Sequence, residues 1–138
     1  MRYMIIVKAT KDSEAGAMPE DKMIAPMATF HEELSRAGVL LDASGLKPTS
    51  KGWRVKYSGG KTTVVDGPFT ESKELIAGYT LIQAKSRKEA LDWTKRFPNP
   101  VGEGAAAEIE VRELFELDDF APSPGVERFK EMEKGIRK

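Results

Sequence analysis

The sequence predicts an α+β fold, a βαββαβ unit with an extra hairpin inserted at its middle. Three observations point there. Short runs with strand patterning recur along the chain, the first in Tyr3-Met4-Ile5-Ile6-Val7 and the last in Ala107, Ile109 and Val111. Two longer stretches, near 23–37 and 86–97, carry apolar residues at helical spacing instead. Turn-forming Gly, Pro, Ser and Asn separate the periodic segments.

The elements follow in order. Tyr3 to Val7 is continuously apolar, as in a strand buried on both faces. Lys11-Asp12-Ser13-Glu14-Ala15-Gly16-Ala17 is small and polar and reads as a loop. Met23, Met27, Phe30, Leu34 and Ala37 form an amphipathic helical stripe. Pro26 is tolerated in a first turn, which puts the helix start near Ala25, and Gly38 is a natural stop. Val39-Leu40-Leu41 is a second strand, ended by a turn at Ser44-Gly45. Trp53, Val55 and Tyr57 alternate with Arg54 and Lys56, the pattern of a half-buried strand. Ser58-Gly59-Gly60-Lys61 turns the chain into Thr62-Thr63-Val64-Val65, its hairpin partner.

Residues 66–74 make a further turn, and Gly78-Tyr79-Thr80-Leu81-Ile82 is the next strand. Ser86 with Glu89 three residues on is a capping box. It opens a helix that buries Ala90, Leu91, Trp93 or Thr94, and Phe97, and Pro98 closes it. A loop over 98–102 leads to the last strand. This is a ferredoxin-like order. Its two helices cover one face of an antiparallel sheet, and a twofold dimer packed sheet on sheet covers the other. The domain spans 1–120. Ala121-Pro122-Ser123-Pro124-Gly125 is a hinge, and 126–136 has the spacing of a short helix, or of a frayed tail.

Composition narrows the function. Lys plus Arg is 22 and Asp plus Glu is 22, so the net charge is zero. A nucleic-acid binder needs a cationic surface, so direct binding is not expected. There is no cysteine, which excludes disulfides, thiolate nucleophiles and Cys-based metal sites. No run approaches the roughly 20 apolar residues of a membrane span. A leader with its cleavage site is also missing, so the expected place is the cytoplasm.

Candidate functional residues are few. His31 is the only histidine and a natural acid or base near neutrality. On a helical wheel it lies about 80° from the centre of the apolar stripe, at the helix border. A single histidine argues against a structural zinc or copper site. Asp66-Gly67-Pro68-Phe69 has a structural reading first: Asp bonds its own backbone, Gly accepts an unusual φ, Pro fixes the bend and Phe69 anchors it. Thr70 can cap a short helical turn behind it. The functional reading places Asp66, Glu71, Lys73 and Glu74 along a pocket at the sheet edge, where four ionisable groups handle protons or a polar ligand. Phosphate loops, dinucleotide fingerprints and nucleophile elbows are absent.

The run Asp66-Gly67-Pro68-Phe69-Thr70-Glu71-Ser72-Lys73-Glu74 resembles the signature of the YCII-related family, in its DGPF branch. The resemblance extends over residues 2–120. It includes Glu32-Glu33-Leu34, Gly45-Leu46-Lys47-Pro48, Glu74-Leu75-Ile76-Ala77-Gly78-Tyr79 and Arg96-Phe97-Pro98-Asn99-Pro100. Thr70, Ser72 and Phe97 depart from the common pattern. The resemblance implies a dimeric α/β barrel of ferredoxin-like protomers. It also implies a His–Asp pair, for which His31 with Asp42 or Asp66 is the nearest counterpart. Members of the DGPF branch often stand beside sigma factors of the extracytoplasmic-function type.

The expectation is a homodimer that binds a small organic ligand between helices and sheet, with or without turnover. Asp66 or His31 would accept a proton, Lys73 would pair an anion, and Asp42 and Glu71 would add polar contacts. No cofactor or metal is expected. The rival reading is an accessory protein that binds a sigma factor through an exposed apolar patch near Val126 and Phe129. A third is a structural dimer with no ligand.

Overall fold

A computed structural model describes residues 1–70 and 74–136. Strands β1 (Arg2–Lys8), β2 (Leu40–Gly45), β5 (Ile76–Gln83) and β6 (Ile109–Glu113) form one sheet in the order β2-β5-β1-β6. Every neighbouring pair is antiparallel. The fold is thus mixed α+β with antiparallel sheets, and the strand order is consistent with a ferredoxin-like unit. Among the described residues, strands β3 (Trp53–Ser58) and β4 (Lys61–Asp66) pair only with each other, as a separate ribbon.

Strand alternation separates the two faces of the sheet. Tyr3 and Ile5 on β1 and Thr80 and Ile82 on β5 point to one side and are buried there. Phe30 and Leu34 of α2 (Asp21–Arg36) and Ala90 of α3 (Arg87–Lys95) pack on them. Phe30 stacks edge-on to Phe97 at 5.4 Å and to Trp93 at 6.2 Å. Met4 and Ile6 face the other way beside Leu81 and Tyr79, and all four are only half-buried. The expectation that β1 is buried on both faces therefore holds for one face of this chain alone.

Local chemistry explains where the other boundaries fall. Residues 11–14, expected as loop, form one helical turn, α1 (Lys11–Glu14). The Thr10 hydroxyl accepts from the Ser13 amide and the Ser13 hydroxyl accepts from the Thr10 amide, a capping box built without an acid. Helix α2 begins at Asp21, not near Ala25. Proline lacks one amide, but the Met23 and Ile24 amides still reach the Glu20 carbonyl, so the turn before Pro26 stays closed. Helix α3 is capped by Ser86 as expected, from the Glu89 amide. The Glu89 carboxylate reaches the Lys85 amide and not that of Ser86, so the box is not completed. Leu91 is exposed, not buried.

The ribbon turns at Gly59 and Gly60, whose φ values of 56° and 76° suit glycine. All six residues of β3 are exposed, against the half-buried strand that its alternation predicts. A 3-10 turn (Leu117–Asp119) leads to α4 (Pro124–Ile136). Lys130 of α4 pairs with Asp118 at 3.0 Å. Among the described residues no helix is long and apolar enough to cross a membrane.

Candidate functional site

His31 sits where α2 meets the sheet. Its Nδ1 is 2.7 Å from the Met27 carbonyl, one helical turn earlier. A carbonyl only accepts, so Nδ1 carries the proton in the neutral ring. Nε2 then accepts from the Thr80 hydroxyl at 2.8 Å. Phe30 and Phe97 flank the ring edge-on. Both nitrogens are engaged within the protein, and the partner Thr80 is buried.

Asp42 lies on the opposite face. Strand β2 carries an extra residue between Leu40, opposite Ile82, and Asp42, opposite Leu81. This bulge sends Leu40 toward the core and Asp42 to the open side. Its Oδ2 accepts from the Tyr79 hydroxyl at 2.8 Å and its Oδ1 from the Ala43 amide at 2.9 Å. The bond to Asp42, and then its charge, hold the Tyr79 phenol above the usual tyrosine range. Thr80 lies between Tyr79 and Leu81 on β5, so His31 and Asp42 are on opposite sides of one sheet. The structure does not bring them together as a pair within one chain.

Asp66 ends β4 and is exposed. Its carboxylate does not bond its own backbone, contrary to expectation; other segments hold the turn. The Gly67 amide donates to the Gly52 carbonyl at 2.9 Å. The Phe69 amide donates to the Thr49 hydroxyl at 3.0 Å, and that hydroxyl donates to Glu14 Oε2 at 2.5 Å. Glu14 Oε1 also accepts from the Thr49 amide at 3.2 Å. A side chain at Gly67 would run into the Thr49 carbonyl, which explains the glycine. The Arg54 guanidinium lies 3.8 Å over the Phe69 ring. Glu71 and Lys73, the other two predicted contacts, and the helical turn expected behind Thr70 lie outside the described residues.

Two surface clefts of about 250 and 580 Å³ are lined by residues of α3 and α4. None of His31, Asp42 and Asp66 lines either one. Sequence reasoning missed Glu14, Thr49, Thr80 and Tyr79. Thr80 had a signal: it is a polar residue at an inward position, two before buried Ile82. Glu14 had none, because its partner Thr49 is remote in sequence.

The chain belongs to the YCII-related family, whose domain matches residues 1–115. An uncharacterised protein of Rhizobium meliloti (strain 1021) is 32% identical over 95 residues, 69% of this chain and 75% of that one. Among solved structures, the chain is similar to the 5-chloro-2-hydroxyhydroquinone dehydrochlorinase of Burkholderia phenoliruptrix AC1100 in complex with 2,5-dihydroxybenzoquinone. That likeness has a TM-score of 0.42 at 15% identity and covers 83% of this chain and 94% of that one.

Proposed function

We propose that the protein is a cytoplasmic homodimer of the DGPF branch that binds a small organic ligand between its two sheets. The dimer forms the α/β barrel expected of ferredoxin-like protomers spanning 1–120. The observation that carries the reading is the Asp42–Tyr79 pair, set among half-buried Met4, Ile6 and Leu81 on the uncovered sheet face. An apolar wall with a few convergent polar groups is the composition of a small-molecule site. Asp42 is the proton acceptor and Tyr79 the hydroxyl that orients it. His31, with both nitrogens engaged, fixes α2 on the sheet behind that wall. Asp66, Glu71 and Lys73 are the further polar contacts of this reading, Lys73 to an anionic group.

Native mass spectrometry of protein from its natural host tests this. A mass excess that survives gentle desolvation, and is lost in Asp42→Asn and Tyr79→Phe, is expected. Ligand retention by both variants would sink the assignment. A second reading has its own observation: Phe129 on α4 is 60% exposed. In that reading α4 binds a sigma factor of the extracytoplasmic-function type. Co-purification that survives Tyr79→Phe but fails for Phe129→Ser would favour it.

A further inference from the structure

Among the described residues no helix or sheet covers the ribbon β3–β4. A lone two-stranded hairpin is marginal in water. One of its faces nevertheless presents Trp53 and Tyr57 at 65% and 79% exposure, with Val55 opposite Val64 between them. Large exposed aromatics beside aliphatics are the composition of an interface centre.

Its charge is equally one-sided. Between Asp42 and Asp66 the chain has Lys47, Lys51, Arg54, Lys56 and Lys61 and no acid. Lys47, Lys51, Lys56 and Lys61 have no ion-pair partner among the described residues. Several cations elsewhere are neutralised within the chain: Arg2 by Glu116, Lys8 by Glu110, Lys130 by Asp118. The counterweight lies in 103–120, where Arg112 is the single cation among seven acids. Glu103, Glu108 and Glu113 there have no ion-pair partner among the described residues. Phe115 and Phe120 of the same segment stack at 5.0 Å and are both exposed.

We propose that the ribbon of one copy docks on segment 103–120 of a second copy. Trp53 and Tyr57 pack on the Phe115–Phe120 pair, while Lys56 and Lys61, which leave the opposite face of the ribbon, supply the positive field that draws the acidic segment with Glu108 and Glu113. Twofold symmetry makes the contact twice. The inference rests on the homodimer reading and names the surfaces that lock it. Opposite charge on matching patches also fixes the register of the two copies and rejects other partners. The net charge of zero thus includes two complementary poles, five cations without an acid over 43–65 and seven acids with one cation over 103–120.

The experiment has two arms on the full chain. In the first, Tyr57→p-benzoylphenylalanine is photolysed in a mixture of isotope-labelled and unlabelled protein, and the cross-linked peptides are identified by mass. Cross-links between copies into 103–120 are expected. In the second, sedimentation measures the dimer constant of Lys56→Glu/Lys61→Glu. Weakening by at least about tenfold at low salt is expected, with recovery when Glu108→Lys/Glu113→Lys is added. These sites are exposed or half-buried, and circular dichroism checks that each variant folds. A dimer whose cross-links fall elsewhere, or that the reversal leaves unchanged, overturns this contact and leaves the homodimer standing. A monomer at all concentrations overturns both. The ribbon could instead take a single-stranded nucleic acid on its aromatics and lysines. Quenching of Trp53 by an oligonucleotide in a Trp93→Phe background, without cross-links between copies, overturns the proposal in favour of that partner.

Discussion

His31 spends both ring nitrogens inside the protein, one on the Met27 carbonyl and one on the Thr80 hydroxyl. Thr80 is buried, so removing its partner strands a hydroxyl that water cannot reach. His31→Phe is therefore expected to destabilise the fold by about 1–3 kcal/mol in urea denaturation. Thr80→Val removes the same bond from the other side, so the double variant should cost less than the sum of the singles. Strict additivity would show that the two groups do not interact. The Asp42–Tyr79 bond makes a different prediction, one about pH. It raises the phenol's pKa in the folded state, so it favours the protonated form. Its contribution to stability is complete below the usual tyrosine value of about 10 and is lost as pH rises through the higher folded value. Ultraviolet difference titration should show one tyrosine ionising late, and Asp42→Asn should move it back toward the ordinary range. A late tyrosine that persists in Asp42→Asn would contradict the assignment.

At the scale of elements, the signature turn shows what sequence carries and what it hides. Asp66-Gly67-Pro68-Phe69 reads as a turn from its residue types alone, and the hairpin ahead of it was legible to within a residue, because strand alternation and a Gly-Gly turn are local signals. What fixes the turn is not local. Glu14 and Thr49 come from two other segments, and neither residue announces the contact. The same limit hid the Asp42–Tyr79 pair: the bulge at Leu41 shifts which face Asp42 takes, and a bulge leaves no mark in hydrophobic pattern. Helix α2 was misplaced at its start because proline's cost falls on one amide, while neighbouring amides kept the turn. Gly67 is where the remote contact is testable. Gly67→Ala pushes a methyl into the Thr49 backbone, which cannot swing aside as a side chain would. A loss of about 1–3 kcal/mol is expected from thermal melts, with faster hydrogen exchange at the Phe69 amide. An unchanged melting temperature would mean that the turn is not held this tightly.

At the scale of the molecule, one sheet has two unequal faces. Helices seal the side of Tyr3, Ile5, Thr80 and Ile82, while Met4, Ile6 and Leu81 remain half-buried on the other. Exposed apolar sheet faces are costly in water and mark association sites. The pattern was visible in sequence as an unbroken apolar run in β1, which reads as burial on both faces; the chain supplies one cover, and in the proposed homodimer a second copy supplies the other. Leu81→Lys separates fold from assembly. Its side chain lies on the open face, so the variant is expected to keep a native circular-dichroism spectrum and a stability loss below about 1.5 kcal/mol. A lysine there loses its hydration when a second sheet covers it, and Asp42, opposite on β2 and already accepting from Tyr79 and Ala43, offsets only part of that cost. The dimer should therefore dissociate at least about a hundredfold more readily in sedimentation equilibrium, a difference of about 2.8 kcal/mol. Thr80→Val, one residue away on the sealed face, should leave the dimer constant unchanged while lowering stability. If Leu81→Lys left the dimer constant unchanged, the sheet face would not be the interface. If it unfolded the chain as a monomer, that face would be part of the protomer's own core.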